Sequence, residues 1–252
     1  MREHLRIRID QRDRRVAIVL LTAAIALTIN NFAADDARWL ITSLDALGLN
    51  AVAARLNESM FLSSHKEAND LTFWATVQIA SYVFPPLLVI RYIFRDSIRD
   101  FGVRVRGSVR FAPTYAALFV VCLPFLIFVS TTVEFQARYP FLEFNENDPL
   151  GPLLFWWVLY ALQFCALEFF FRGFMVHGLS ERFGISAVFV MAVPYNMLHY
   201  GKPMLEAVAA ILGAIVLGVL AIRSRTIWWG ACLHIAVAGT MDLLSLHQRG
   251  IL

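Results

Sequence analysis

The feature that most constrains this sequence is a series of apolar runs, each long enough to cross a membrane as a helix. Roughly 20 apolar residues span the hydrocarbon core of a bilayer. The chain is 59% hydrophobic and 16% charged, whereas about 25% of residues are charged in soluble domains. The runs therefore predict an all-α, polytopic transmembrane bundle of about seven helices. They exclude a soluble globular domain.

The individual helices follow from the bounds of these runs. The predicted helices cover 16–33, 71–94, 111–131, 152–176, 185–200, 204–222 and 227–246. The mixed segment 35–70 contains spaced apolar residues between Trp39 and Leu49, which predict an amphipathic helix lying at the interface. Pro85 and Pro86 should kink the second helix. The first run is long for a signal peptide, so we expect a retained helix, with cleavage near Ala34 as the alternative.

The distribution of arginine predicts which loops share a side of the membrane. Six arginines fall within 91–110, and cytoplasmic loops carry such an excess. We expect an integral membrane protein with a cytoplasmic N-terminus and an outside loop at 132–150. Three regions are predicted: a cytoplasmic basic N-terminus (1–15), N-terminal transmembrane helices and loops (16–149), and a C-terminal helical core (150–246). The arginines cluster at helix ends, so the lipid bilayer is an expected partner and nucleic acid is not.

Four ionisable residues inside the predicted C-terminal helices are candidates for a functional site. They are Glu168 and Arg172 on the fourth helix, His199 on the fifth and His234 on the seventh. Such groups are costly at membrane depth, so each needs a partner or a role. Glu168 and Arg172 are four residues apart and share a helix face. The alternatives are a structural ion pair and, for His199, a polar residue satisfied near the interface.

Geometry favours a shared cavity for these side chains. If the fourth and fifth helices form a hairpin near 183–184, Glu168 and His199 lie level in the bundle. A carboxylate in a partly dry cavity can serve as a general base, and neutral imidazoles can hold a metal ion or donate to an oxyanion. His199 and His234 are the candidate metal ligands, with zinc as the ion considered. Zinc normally has three protein ligands, which this set barely supplies.

Three short motifs carry a family resemblance. Residues 167–173 read Leu-Glu-Phe-Phe-Phe-Arg-Gly, 195–199 read Tyr-Asn-Met-Leu-His, and 234–238 read His-Ile-Ala-Val-Ala. In order and spacing they resemble the motifs of the CPBP family of intramembrane proteases, which includes type II CAAX prenyl proteases and Abi-type proteins. The family's first motif is two glutamates, three residues and an arginine.

The resemblance implies an intramembrane peptidase of the CPBP/CAAX-protease type, a metalloendopeptidase-like hydrolase. Its implied site residues are Glu168, Arg172, His199 and His234. Glu168 would activate water to hydrolyse a peptide bond of a membrane-associated peptide or protein substrate. The implied location is the bacterial inner (plasma) membrane.

Two departures from the family motifs keep other functions open. Leu167 stands where the family has its first glutamate, and Ala238 stands where it has asparagine or aspartate. A catalytically inactive CPBP-like membrane scaffold, chaperone or immunity protein is therefore the main alternative. A small transporter or proton relay is another, although the sequence shows neither inverted repeats nor paired half-helices.

Overall fold

The computed structural model describes residues 10–251, and every regular element within that range is helical. The α-helices there are α1 (Gln11–Ala33), α2 (Arg38–Ala46), α3 (Asn50–Asn57), α4 (Lys66–Leu88), α5 (Ala112–Ser130), α6 (Val133–Gln136), α7 (Leu150–Glu168), α8 (Gly178–Phe183), α9 (Ala187–Met197), α10 (Met204–Ser224) and α11 (Trp228–Gln248). Stretches of π-helix occupy Glu58–Leu62, Val89–Phe94 and Phe169–His177, and 3₁₀ turns occupy Ile98–Phe101, Val109–Phe111 and Gly184–Ser186. The predicted all-α fold is confirmed. Most of the predicted basic N-terminus lies outside the described residues.

Six helical segments of the described chain are long and apolar enough to cross a membrane. One of them, Leu150–Met197, has 48 residues and contains both the fourth and the fifth predicted helices. A straight helix of that length would measure about 72 Å, far more than the roughly 30 Å of a hydrocarbon core. The chain reverses at Gly184, where φ is +53°, and α9 packs against Phe169–His177. The predicted hairpin is therefore present, and six segments accommodate the seven predicted helices.

The amphipathic segment and the paired prolines show how local sequence shapes the periphery. The single amphipathic helix predicted between Trp39 and Leu49 is interrupted: α2 ends at Ala46, Gly48 has φ of +78°, and α3 begins at Asn50. No residue of α2 is buried, as an interfacial helix requires. Helix α4 continues through Pro85 and Pro86 and becomes π-helical at Val89–Phe94. The prolines, which lack an amide N–H, thus accompany a change of helix type.

The core of the bundle is the π-helical segment Phe169–His177. Its residues from Phe169 to Val176 are all buried, and α1, α4, α9 and α10 pack around it. A helix that is apolar on all sides is stable only when neighbours cover every face. Helix α7 leads into this segment and packs on α4, where Gln163 donates a 2.8 Å hydrogen bond to Gln78. Helix α11 packs against both α7 and α5.

The loops predicted to share the cytoplasmic side lie together at one end of the bundle. Arg15 at the start of α1 pairs with Asp96 at 2.7 Å, and Arg182 pairs with Asp13 at 3.2 Å. The amide of Ile227 donates a 3.0 Å hydrogen bond to the carbonyl of Gly102. These contacts bring loop 91–110 together with 177–184 and 223–225, which a count of crossings from a cytoplasmic N-terminus also places inside. We call this region the basic end.

The predicted outside loop packs at the opposite end. The amide of Glu143 donates to the Glu67 carboxylate at the start of α4. The Tyr139 hydroxyl donates to the carboxylate of Glu206 at the start of α10, at 2.9 Å from one oxygen. Loop 132–150 is therefore fixed to two helix starts. Which end faces the cytoplasm stays a prediction from charge.

Candidate active site

A buried ion-pair cluster centred on Glu168 lies where α7 becomes π-helical. Glu168, the last residue of α7, is 1% exposed, and Arg172 is completely buried. Arg172 Nη1 lies 3.0 Å from Glu168 Oε1. Because charges at membrane depth cannot be hydrated, each of these two groups depends on its neighbour. The change to π geometry directly after Glu168 is of a kind that frequently occurs at functional sites.

His234 of α11 completes this cluster. Its Nδ1 lies 2.8 Å from Glu168 Oε1, and its Nε2 lies 3.1 Å from the Tyr195 hydroxyl. The contact between Nδ1 and Glu168 has the distance of an ion pair without the geometry of a hydrogen bond. With the proton on Nδ1, Nε2 accepts a hydrogen bond from Tyr195. The ring also stacks on Phe164 at 5.4 Å. Three neighbours therefore hold the imidazole, whose side chain keeps 17% exposure.

Tyr195 connects the remaining predicted site residue to the cluster. The Arg172 guanidinium lies 4.1 Å from the centre of the Tyr195 ring, which is a cation–π contact. His199 Nδ1 lies 3.2 Å from the Tyr195 carbonyl oxygen. The fifth helix was predicted to extend to residue 200, but α9 ends at Met197, so His199 lies in the following turn. Within the described residues, His199 has no hydrogen bond to Glu168 and joins the cluster through Tyr195.

Two members of the cluster were missed by sequence reasoning. Tyr195 was considered only as the aromatic residue of a motif, although a tyrosine at membrane depth needs a partner for its hydroxyl. Gly230 was not considered, yet a Cβ there would overlap Glu168 Oε2. The available signal was its position four residues before His234, which places a small residue on the same helix face.

The two motif positions that depart from the family lie in apolar surroundings. Leu167 is 7% exposed and belongs to the main hydrophobic core. Ala238, also 7% exposed, packs in a separate cluster that includes Ala75, Trp156 and Tyr160. Each position is occupied by an apolar side chain that packs, and neither offers a proton acceptor or donor.

The donor set does not fit the zinc site considered from the sequence. Within residues 10–251, no group of three His, Cys, Asp or Glu side chains could hold a metal ion. Both ring nitrogens of His234 are engaged, by Glu168 and Tyr195. The cationic Arg172 beside Glu168 also opposes a second cation at that carboxylate. Zinc at His199 and His234 is therefore not confirmed.

The fold and the cluster together define a polytopic membrane protein with a polar site at membrane depth. Residues 149–240 match the family model described as type II CAAX prenyl endopeptidase Rce1-like. This match confirms the predicted resemblance of residues 149–240 to the CPBP family, whose members are proteases. Comparisons with curated proteins and with solved structures gave no match.

Proposed function

We propose that this chain is a membrane-embedded peptidase in which Glu168 activates water together with His234. The observation that carries the proposal is the 2.8 Å contact between Glu168 Oε1 and His234 Nδ1 inside a buried cluster. A carboxylate held against one imidazole nitrogen makes the other nitrogen a better base and stabilises the imidazolium that forms. The family of residues 149–240 supports the same activity.

The proposed chemistry balances as follows. Water displaces the Tyr195 hydroxyl from His234 Nε2 and transfers a proton to that nitrogen, while the resulting hydroxide oxygen bonds to the carbonyl carbon of the peptide. The Tyr195 hydroxyl can no longer donate to a protonated Nε2 and becomes free to donate to the oxyanion. The proton then moves from His234 to the amide nitrogen as the C–N bond breaks, leaving a carboxylic acid and an amine.

The remaining predicted site residues have supporting roles in this proposal. Arg172 balances the charge of Glu168 before the imidazolium forms and holds the Tyr195 ring through the cation–π contact. His199 fixes the backbone of Tyr195. The substrate class is a membrane-associated peptide or protein, including C-terminal sorting tails. Prenylated CAAX peptides follow from the family description alone.

The test measures cleavage of membrane-anchored peptides by the full chain reconstituted in liposomes. Quenched fluorescent peptides with a lipidated cysteine near the C-terminus are compared with unlipidated forms. Glu168→Gln should lower the cleavage rate at least about 100-fold, since acid–base groups contribute 10²–10⁴-fold. Glu206→Gln, a matched change outside the cluster, should leave the rate within about threefold of wild type. Equal cleavage by wild type and Glu168→Gln would contradict the proposal.

A catalytically inactive membrane scaffold is the second candidate, and a specific observation favours it. Leu167 and Ala238 are both buried among apolar residues, so two polar groups of the family motifs are missing. Losing one transition-state donor costs about 2.7–4 kcal/mol. If wild type cleaves no better than Glu168→Gln while both remain folded, the scaffold function replaces the peptidase.

A further inference from the structure

A second polar site lies at the basic end of the bundle, separate from the Glu168 cluster. It is a cleft of about 310 Å³, which is at the lower end of the roughly 300–1,000 Å³ of small-ligand sites. Its polar lining consists of Arg99, Asp100, Arg104, His177, Ser180 and Arg225. The proposed peptidase chemistry uses none of these residues.

The arginines of this cleft are not used by the fold. Other arginines of the basic end are paired, such as Arg15 with Asp96. Within residues 10–251, Arg99, Arg104 and Arg225 have neither an ion pair with an acidic side chain nor a cation–π contact. Guanidinium groups around one concavity match the oxygens of a phosphate, with which they form charge-assisted hydrogen bonds.

His177 adds a hydrogen-bond acceptor to the cleft. Its Nδ1 lies 2.7 Å from the carbonyl oxygen of Arg172, so Nδ1 carries the proton and a neutral ring has an acceptor at Nε2. Nε2 is buried and has no hydrogen-bond partner among the described residues. Together with the carboxylate of Asp100, it can accept from a hydroxyl group next to a phosphate. The cleft thus combines cationic donors with uncharged and anionic acceptors.

The position of the cleft favours a lipid over a soluble ligand. Ile222, in the last turn of the membrane-spanning helix α10, also lines it. Exposed aromatic residues lie at the nearby ends of membrane-spanning helices: Tyr92 at the beginning of loop 91–110 and Trp228 at the start of α11. Tyrosine and tryptophan are enriched at the level of the lipid headgroups. A phosphate bound at the level of the headgroups therefore belongs to a membrane lipid.

We propose that this cleft binds the phosphate of a phospholipid headgroup that carries a free hydroxyl, as phosphatidylglycerol does. The arginines contact the phosphate, and His177 and Asp100 each accept from one of the two hydroxyl groups of the glycerol headgroup. Inorganic phosphate and glycerol phosphate share this chemistry and are the soluble alternatives. The proposal does not depend on peptidase activity, because its readout is binding.

The test measures lipid binding to the full chain in phosphatidylcholine nanodiscs. Phosphatidylglycerol is titrated, and retained lipid is counted by native mass spectrometry for two triple variants. Arg99→Gln/Arg104→Gln/Arg225→Gln alters the cleft. Arg91→Gln/Arg106→Gln/Arg110→Gln removes the same charge from the same loop region outside it. The cleft variant should lose at least about tenfold more affinity than the control, since the control removes only the general surface attraction of about fivefold per arginine.

Three outcomes would overturn the assignment. Equal losses in the two triple variants would show general surface attraction. Equal retention of phosphatidylcholine would remove the headgroup selectivity. Inorganic phosphate or glycerol phosphate binding as tightly as the lipid would make the ligand a soluble anion. If substitution of Arg225 prevents folding, Arg99→Gln/Arg104→Gln, which changes two exposed side chains, is compared with Arg91→Gln/Arg106→Gln under the same expectation.

Discussion

At the level of single residues, the charges of Glu168 and Arg172 are the most demanding feature of this protein. Arg172 is fully buried and lies 3.0 Å from Glu168. We predict that Arg172→Ala destabilises the fold by roughly 3–5 kcal/mol, because it leaves a buried carboxylate without its cation. Thermal unfolding in detergent measures this change.

A matched control separates burial from loss of charge. Arg182 forms a half-exposed ion pair with Asp13, so Arg182→Ala should cost less than about 1 kcal/mol. If Arg172→Ala unfolds at the wild-type temperature, the pair does not have the buried environment described above. A double change to Glu168→Met/Arg172→Leu should recover stability and leave the protein without cleavage, because well-packed apolar residues often replace buried ion pairs.

Gly230 provides a second test at the residue level. A Cβ at this position would overlap the Glu168 carboxylate, so Gly230→Ala should displace Glu168 from His234. We expect a loss of about 1–3 kcal/mol of stability, as for other overpacked sites, together with loss of cleavage. Gly239→Ala lies on the same helix with open space around its Cβ. That control should be neutral or stabilising by up to about 1 kcal/mol, and an identical response of the two variants would argue against the contact.

At the level of elements, the π-helical segment Phe169–His177 connects the candidate site to the arginine-rich loop. A Cβ on Gly173 would lie 2.8 Å from the carbonyl oxygen of Phe101, which ends the 3₁₀ turn Ile98–Phe101. The close approach of these two backbones is possible only because residue 173 lacks a side chain. The loop is thereby held against the segment that carries Arg172.

We predict that Gly173→Ala loosens the arginine-rich loop. The new methyl group meets backbone, which cannot rotate away, so the turn should shift and its backbone should become mobile enough for a protease to bind. Limited trypsin digestion of the folded protein, followed by mass spectrometry, measures cleavage after Arg99 and Arg104. Gly213→Ala, where a Cβ meets open space, should leave the cleavage rate unchanged. Equally slow cleavage of wild type and Gly173→Ala would show that the backbone at Gly173 does not pack closely against Phe101.

At the level of the whole molecule, the two ends of the bundle differ in charge and predict its orientation. The basic end gathers loops 91–110, 177–184 and 223–225, and the acidic loop 132–150 lies at the other end. By the positive-inside rule the basic end should face the cytoplasm. The structure gives the grouping of the loops and contains no membrane, so the orientation needs its own measurement.

Cysteine labelling tests this orientation in intact cells. Val105→Cys and Glu146→Cys are introduced after replacement of the three native cysteines, which carry no disulfide in the described residues. A membrane-impermeant maleimide should label Glu146→Cys from outside and Val105→Cys only after permeabilisation. The reverse pattern would invert the predicted topology, and labelling of both from one side would contradict the fold.

Features that depend on residues close together along the chain could be predicted from the sequence. Apolar runs of membrane-spanning length predicted the helices, because a bilayer accepts few alternatives. The spacing of Glu168 and Arg172 predicted their contact, since residues four apart share a helix face. Motif order predicted the family of residues 149–240. The grouping of loops at two ends also followed, because successive crossings alternate sides. The catalytic roles of Glu168, Arg172, His199 and His234 stay predictions.

Contacts between groups far apart in the sequence became visible only in the folded bundle. The hydrogen bond between Tyr195 and His234, the space that Gly230 leaves for Glu168, and the cleft lined by Arg225 each join separate helices or loops. The zinc considered from the sequence stays unconfirmed, because within residues 10–251 no group of three His, Cys, Asp or Glu side chains could hold a metal ion. Such contacts depend on how each helix rotates and how closely backbones approach. Those quantities are set by packing of the whole bundle, where a rotation of one helix exchanges the partners of every side chain on it.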